Sequence, residues 1–152
     1  MEQNKLNRLI ENGLLVDFND TIQTLLSRIS KNKKQIIYIV DINDSWKCIG
    51  AVTYGDLIRW ISKKPNSLDV KICEQSSLVN RKFIFAKKGT SEITIQKLIN
   101  TYGSIPLLNE DKTIERIYFS KKYNDQILIG NQLISSKSKP FYIAEIGNNH
   151  NG

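Results

Sequence analysis

A threonine and an aspartate close together in the sequence are the residues best placed to bind a small polar ligand. Thr53 is predicted to end a buried strand and Asp56 to begin a helix, so a hydroxyl, a carboxylate and free helix amides would lie together. A carboxylate can accept hydrogen bonds from two sugar hydroxyls, and Gly50 would let the backbone come close to a ligand. A purely structural interpretation is also open, because Asp56 suits the first turn of a helix and Thr53 an ordinary strand.

A second group of polar residues follows the apolar stretch at residues 141–144. Glu145 ends this stretch, and Asn149 and His150 follow it. In barrel enzymes, catalytic groups lie where a buried strand ends and the next loop begins, so an acid and hydrogen-bonding side chains at this place are typical of a barrel strand. Taken alone, Glu145 would be a solvent-exposed acid at a strand end.

The elements predicted around Thr53 recur along the chain. The first copy has a helix at residues 21–29, strands at 35–40 and 47–53, and a helix opened by Gly55 and Asp56. The second copy has a strand at residues 83–86, a helix that begins at Thr90 or Ser91, and strands at 104–108 and 114–119. The offset between corresponding positions is nearly constant. We therefore predict two β-α-β-β-α repeats that bury a shared interface.

The motifs of these repeats resemble those of a tandem cystathionine-β-synthase (CBS) domain pair, or Bateman module. Residues 36–41 read IIYIVD, residues 50–56 follow the pattern G-x-x-T-x-x-D, and residues 104–109 read SIPLLN. The stretches GDLIR at 55–59 and VNRKFI at 79–84 are similar to those of CBS pairs fused to sugar nucleotidyltransferases. The resemblance implies an α/β (α+β) fold and a regulatory role.

The resemblance also implies a nucleotide site in the first repeat. In the family, the threonine of the motif faces a phosphate and the aspartate takes the ribose hydroxyls. The resemblance assigns Gly50, Thr53 and Asp56 to this site. Among their neighbours, Ile37 and Ile105 could flank a base, Tyr54 could stack on it or only pack, and Arg59 could reach a phosphate. The second repeat has Arg116, Phe119 and Lys122 at the motif positions, so we expect at most one such site per chain.

Residues 140–152, PFYIAEIGNNHNG, resemble the first strand and loop of the barrel of sialic acid (N-acylneuraminate) synthases. The resemblance implies a parent enzyme that condenses phosphoenolpyruvate with an N-acylmannosamine-type sugar and uses a divalent metal. Glu145 would be catalytic in that enzyme, and Asn149 and His150 would belong to its substrate loop. The metal ligands would lie beyond Gly152, so we expect no activity and no metal site in these 152 residues.

These interpretations divide the chain into five segments. They are a leading helix at 1–13, CBS repeats at 14–66 and 67–123, a linker at 124–139, and the truncated first strand of a TIM-type barrel at 140–152. Within the linker, residues 127–130 could form an additional strand.

Composition excludes several classes of partner. The net charge is +7, but the lysines are scattered and no arginine-rich arm is present, so we expect no nucleic-acid partner. The longest apolar run, residues 36–40, is too short to cross a bilayer, and the polar N-terminus resembles no secretion signal. We therefore expect a cytoplasmic protein with reduced thiols at Cys48 and Cys73.

Two functions remain open at this point. The first is a regulatory module that senses an adenine or cytidine nucleotide. The second is a structural homodimerisation module without a ligand, since the predicted helices at 56–61 and 91–101 are apolar on more than one face.

Overall fold

The computed structural model describes residues 2–120, with the side chains of residues 6–120, and the backbone of residues 126–129 and 132–135. The chain divides into two compact units, residues 1–120 and residues 121–152. Glu145, Asn149, His150 and the predicted barrel strand lie outside the described residues, as does Lys122.

The first unit alternates helices and short strands. Its elements are α1 (Glu2–Glu11), β1 (Leu15–Asp17), α2 (Ile22–Lys31), β2 (Ile36–Asp41), β3 (Lys47–Thr53), α3 (Tyr54–Lys63), a 3-10 turn (Ile72–Glu74), β4 (Ala86–Lys87), α4 (Glu92–Tyr102), β5 (Ser104–Leu108) and β6 (Ile114–Phe119). In the second unit, β7 (Gln126–Ile129) pairs with β8 (Gln132–Ser135) as an antiparallel hairpin. The additional strand expected at residues 127–130 is thus present as β7, which covers Gln126–Ile129 within the segment interpreted as a linker.

Two three-stranded sheets, with the orders β1-β2-β3 and β4-β5-β6, confirm the internal repeat and the mixed α/β class. In each sheet the first strand is parallel to the second and the second antiparallel to the third. Both antiparallel pairs shift register at the same place in the repeat, after Ile39 in β2 and after Leu107 in β5. The final helix expected for the second repeat falls beyond residue 120, outside the described segment.

Each repeat has a helix whose start is fixed by a side-chain cap. The Thr21 hydroxyl accepts a hydrogen bond from the Thr24 amide at the start of α2, and the Ser91 hydroxyl accepts one from the Thr94 amide at the start of α4. Such caps satisfy amides that have no partner within the helix. Helix α4 ends at Gly103, whose φ of 77° is the left-handed conformation that glycine adopts without strain.

The two faces of β2 pack into two different cores. Ile37 and Ile39 contribute to the core under α2 and α3, together with residues such as Leu25 and Leu57. Tyr38 and Val40 point to the other face, because successive side chains of a strand alternate. There they join a core shared by the two repeats, whose buried members are Leu15, Tyr38, Val40, Cys48, Ala51, Leu108 and Ile114. The predicted shared interface is therefore present.

The strand expected at residues 83–86 is shorter than predicted and begins only at Ala86. Phe83 instead packs its ring against Tyr38, with 6.2 Å between ring centres, and against Phe85, with 5.6 Å. These contacts belong to the connecting segment, which we define as residues 64–85, between α3 and β4. Within the part of the chain that the structure describes, none of the helices is long and apolar enough to span a membrane.

Candidate functional site

Thr53 and Asp56 form a closed hydrogen-bonded pair at the start of α3. The Thr53 hydroxyl caps the helix by accepting the Asp56 amide at 3.1 Å, and it donates to Oδ2 of Asp56 at 2.6 Å. Arg59, one turn further along α3, donates to the other oxygen, Oδ1 of Asp56. The helix therefore begins at Tyr54 rather than at Gly55, because Thr53 provides the cap.

The carboxylate of Asp56 is held in its charged form. The hydrogen bond from the Thr53 hydroxyl lowers the pKa of Asp56 below its ordinary value of 3.8, and the Arg59 guanidinium lowers it further. A carboxylate offers about four acceptor positions, of which these two bonds use two. Because the Asp56 side chain is 40% exposed, the remaining positions are accessible to hydroxyl donors from a ligand.

Thr53 and Asp56 lie at the edge of a cavity of about 240 Å³, which we call the Thr53 cavity. Its apolar lining comes from β2, β3 and the connecting segment, and consists of Ile36, Ala51, Phe83 and Ile84. Its other lining residues carry polar groups and are Tyr38, Thr53, Asp56, Asn80, Lys82, Tyr102 and Ser104. The cavity thus combines an apolar wall with a carboxylate, a lysine and several hydroxyls, and both repeats contribute to it.

A hydrogen bond between the repeats lies in the lining of this cavity. The Tyr38 hydroxyl, on β2, and the Ser104 hydroxyl, on β5, are buried and 2.9 Å apart. Burial raises the pKa of Tyr38 well above its ordinary range, so the phenol stays neutral. This pair links the second repeat to the first at the site, beside the core that the two repeats share.

Some residues assigned from the sequence lie elsewhere. Ile37 and Ile105 are fully buried in two hydrophobic cores and do not line the Thr53 cavity. Their neighbours Ile36, Tyr38 and Ser104 line it instead, because adjacent strand residues face opposite sides of a sheet.

Gly50, Tyr54 and Arg59 also lie outside the lining of the cavity. A Cβ atom on Gly50 would lie 2.4 Å from Cγ1 of Val79. The absence of a side chain at Gly50 therefore lets the connecting segment pack closely against β3. Tyr54 is exposed at the start of α3, and Arg59 pairs with Asp56.

Four lining residues from the connecting segment were missed by the sequence analysis. Asn80, Lys82, Phe83 and Ile84 all belong to the VNRKFI stretch, which was interpreted only as a motif similar to that of other CBS pairs and, from residue 83, as a strand. Asn80 reaches the site because its backbone forms a bridge with Ala51 of β3. The VNRKFI stretch was therefore the sequence signal for these lining residues. Its contribution to the site depends on the pairing of Asn80 with Ala51, which the sequence does not show.

The equivalent position of the second repeat has different chemistry. The Phe119 ring lies 5.0 Å from the Lys34 ammonium, and the Arg116 guanidinium lies 5.8 Å from the centre of the Tyr118 ring. A phenyl ring has neither the hydroxyl nor the carboxylate of the Thr53 pair. Among the described residues, no cluster of three histidine, cysteine or acidic side chains could hold a metal ion.

Comparison with known proteins relates the repeat and the paired sheets to CBS domains. Residues 11–63 match the family model of the CBS domain. The fold of the chain matches that of CBS-domain proteins of known structure. No curated protein matches the sequence.

Three solved structures illustrate the similarity. CbpB from Streptococcus agalactiae is 15% identical, with a TM-score of 0.58, over 78% of this chain and 79% of that chain. A CBS domain protein from Streptococcus pneumoniae is 8% identical, with a TM-score of 0.59, over 79% and 84%. A structure of CbpB in complex with c-di-AMP is 14% identical, with a TM-score of 0.59, over 78% and 88%.

A fourth structure is a Methanocaldococcus jannaschii protein described as an archaeal homolog of g-AMPK. It is 16% identical with a TM-score of 0.57, and the similarity covers 69% of this chain and 42% of that one. At these identities, the comparisons establish the fold.

Proposed function

We propose that the two repeats form a regulatory CBS pair that senses a nucleotide in the Thr53 cavity. The observation that carries the proposal is the charged Asp56 carboxylate, which Thr53 and Arg59 hold at the edge of a partly apolar cavity. The structure of CbpB in complex with c-di-AMP supports a nucleotide as the ligand class for this fold.

Each part of a nucleotide has a matching group in the cavity. The ribose hydroxyls donate to Asp56, whose acceptor positions are only partly used. The base packs against the apolar wall formed by Ile36 and Ile84, and the Lys82 ammonium supplies positive charge for a phosphate. The volume of about 240 Å³ is near the lower end of small-molecule sites, at roughly 300 Å³, which favours one mononucleotide per chain. An adenine or cytidine nucleotide is the proposed ligand.

Thermal melting with a nucleotide panel tests this proposal. The panel includes AMP, ADP, ATP, CMP, a cytidine sugar and c-di-AMP. A ligand at about one hundred times its Kd stabilises the native state by about 2.7 kcal/mol, which is readily measured as a rise in Tm. The proposal predicts such a rise for a mononucleotide, and unchanged melting across the panel would refute it.

A structural role in homodimerisation is the second candidate. It is favoured by large apolar side chains that remain exposed on α3 and α4, namely Tyr54, Ile58, Ile93 and Tyr102. Exposed apolar groups of this kind mark association surfaces when they are contiguous. A stable dimer in sedimentation velocity, together with no nucleotide response, would favour this candidate over sensing.

We also propose that the sensing module belongs to a sialic acid synthase-type enzyme. The support is the sequence of residues 140–152, in which Glu145, Asn149 and His150 match the first barrel strand and loop of that family. The nucleotide would then regulate condensation of phosphoenolpyruvate with an N-acylmannosamine, with the divalent metal bound by the barrel. A polypeptide that continues past Gly152 into a barrel should show this condensation, and Glu145→Gln should abolish it without affecting nucleotide binding.

A further inference from the structure

A second cavity lies on the first repeat, between the outer part of α3 and the connecting segment. Its volume is about 460 Å³, and we call it the Lys64 cavity. Arg59, Lys63 and Lys64 contribute three positive charges to its lining, and Asp56 contributes one negative charge. Asp56 and Asn80 also line the Thr53 cavity, whereas Thr53 and Lys82 do not line the Lys64 cavity. The two cavities are therefore adjacent but have different binding groups.

Trp60, a lining residue of the Lys64 cavity, carries a buried donor without a partner among the described residues. Trp60 is only 8% exposed, and its indole Nε1 has no hydrogen-bond acceptor in the described part of the chain. A buried N–H left without an acceptor costs about 1–3 kcal/mol, so native proteins rarely retain one. The unsatisfied group therefore suggests that an acceptor from outside the chain completes this site.

Two contacts hold the exposed Lys64 side chain beside the indole ring of Trp60. The Lys64 ammonium lies 5.3 Å from the centre of the Trp60 ring and donates to Oε1 of Gln75 at 3.0 Å. Because the lysine is exposed, exchanging these weak contacts for a charged acceptor has a small cost. Arg59 uses one of its five N–H groups on Asp56, which leaves others for a second anion.

We propose that the Lys64 cavity binds a small phosphorylated anion, separate from the ligand of the Thr53 cavity. Arg59, Lys63 and Lys64 neutralise its charge. The Lys64 side chain turns from the Trp60 ring to the anion, and an oxygen of the anion then accepts the Trp60 N–H. Phosphate groups suit this set, since their oxygens accept hydrogen bonds from several cationic donors at once.

Two-dimensional proton–nitrogen NMR of the indole N–H groups tests the proposal directly. The chain has two tryptophans, Trp46 and Trp60, so a Trp46→Phe variant assigns the Trp60 resonance. Inorganic phosphate and pyrophosphate are titrated at constant ionic strength. The proposal predicts that the Trp60 indole resonance shifts and saturates with added anion. The affinity obtained from this titration should be higher for pyrophosphate than for phosphate.

A pair of charge-matched variants distinguishes a site from general attraction to a basic protein. Lys63→Gln/Lys64→Gln should weaken pyrophosphate binding at least fivefold. Lys31→Gln/Lys33→Gln removes the same charge outside the Lys64 cavity and should change it less than twofold. The absence of a saturable shift, or equal weakening by both double variants, would overturn the proposal. Nucleotide binding in the Thr53 cavity is tested separately by thermal melting. The proposal for one cavity can therefore be refuted while the proposal for the other stands.

Discussion

The Tyr38 and Ser104 hydroxyls share a buried hydrogen bond of 2.9 Å that joins β2 of the first repeat to β5 of the second. The bond lies in the lining of the Thr53 cavity and adjoins the core that the repeats share. The two repeats are thus held together by a polar contact at the same place where a ligand would enter. Ligand binding and the packing of the repeats should consequently be coupled.

Removing either hydroxyl should destabilise the protein, because its partner is left buried without a hydrogen bond. Tyr38→Phe and Ser104→Ala should each lower the free energy of unfolding by about 1–3 kcal/mol. In the double variant no hydroxyl is left unpaired, so its loss should be smaller than the sum of the two single losses. Urea denaturation of the four proteins measures this coupling, and strictly additive losses would show that the bond contributes nothing.

The helix caps offer a matched test that separates stability from binding. Thr53→Ala and Ser91→Ala each remove the side-chain cap of a helix, and each should cost about 1 kcal/mol in urea denaturation. Only Thr53→Ala should also weaken nucleotide binding, because Thr53 holds Asp56 and lines the cavity. Equal loss of binding in both variants would mean that destabilisation alone accounts for the effect.

The glycines of the motif should differ in their tolerance of a methyl group. Gly50→Ala would bring Cβ to 2.4 Å from Cγ1 of Val79 and 2.8 Å from the Asn80 carbonyl oxygen, so we expect a loss of about 1–3 kcal/mol. Gly55 lies within α3, and a Cβ atom there would lie at an ordinary contact distance of 3.6 Å from Nη1 of Arg59. Gly55→Ala should be neutral or stabilise by about 0.5–1 kcal/mol in thermal unfolding. A Gly50→Ala protein as stable as wild type would contradict the close packing of the connecting segment.

Alkaline pH should destabilise the fold through Cys48. Burial raises the pKa of the Cys48 thiol from its ordinary 9.0 to about 12. The folded state therefore keeps a proton that the unfolded chain releases, so stability is complete below pH 9 and falls as the pH rises. The loss should reach roughly 1 kcal/mol by pH 10.

Chemical denaturation between pH 8 and pH 10.5 measures this effect, with Cys48→Ala as the variant. The variant should be less stable overall but should show a flatter dependence on pH in this interval. An unchanged slope would assign the alkaline loss to other groups, of which the buried Tyr38 is one.

The sequence predicted most of the helices and strands, but it missed β1, misplaced the start of β4 and did not show the orientation of the side chains. Helix α2 could be predicted because Ile22, Leu25 and Ile29 recur at helical spacing and are all buried. Strand β2 gives no such indication, because residues 36–40 are apolar throughout and both of its faces enter a core. The apolar pattern therefore could not show that Ile36 and Tyr38, rather than Ile37, line the site.

The contribution of the connecting segment to the site was equally hidden. Asn80, Lys82 and Phe83 reach the Thr53 cavity through the backbone bridge to Ala51 and through the ring contact with Tyr38. Neither contact follows from local periodicity, since each joins residues far apart in the sequence. The Thr53 and Asp56 pair was predictable because it is formed within a single helix start.

Isothermal titration of the best nucleotide from the melting panel into wild type and Asp56→Ala tests the central claim most directly. Lys31→Gln, which removes a charge on α2 outside both cavities, is the control. Losing a charged acceptor should cost about 1.5–3 kcal/mol, which corresponds to a Kd roughly ten- to hundredfold weaker for Asp56→Ala. The account predicts one site per wild-type chain and nearly unchanged affinity in the control. Equal affinities of wild type and Asp56→Ala would contradict it.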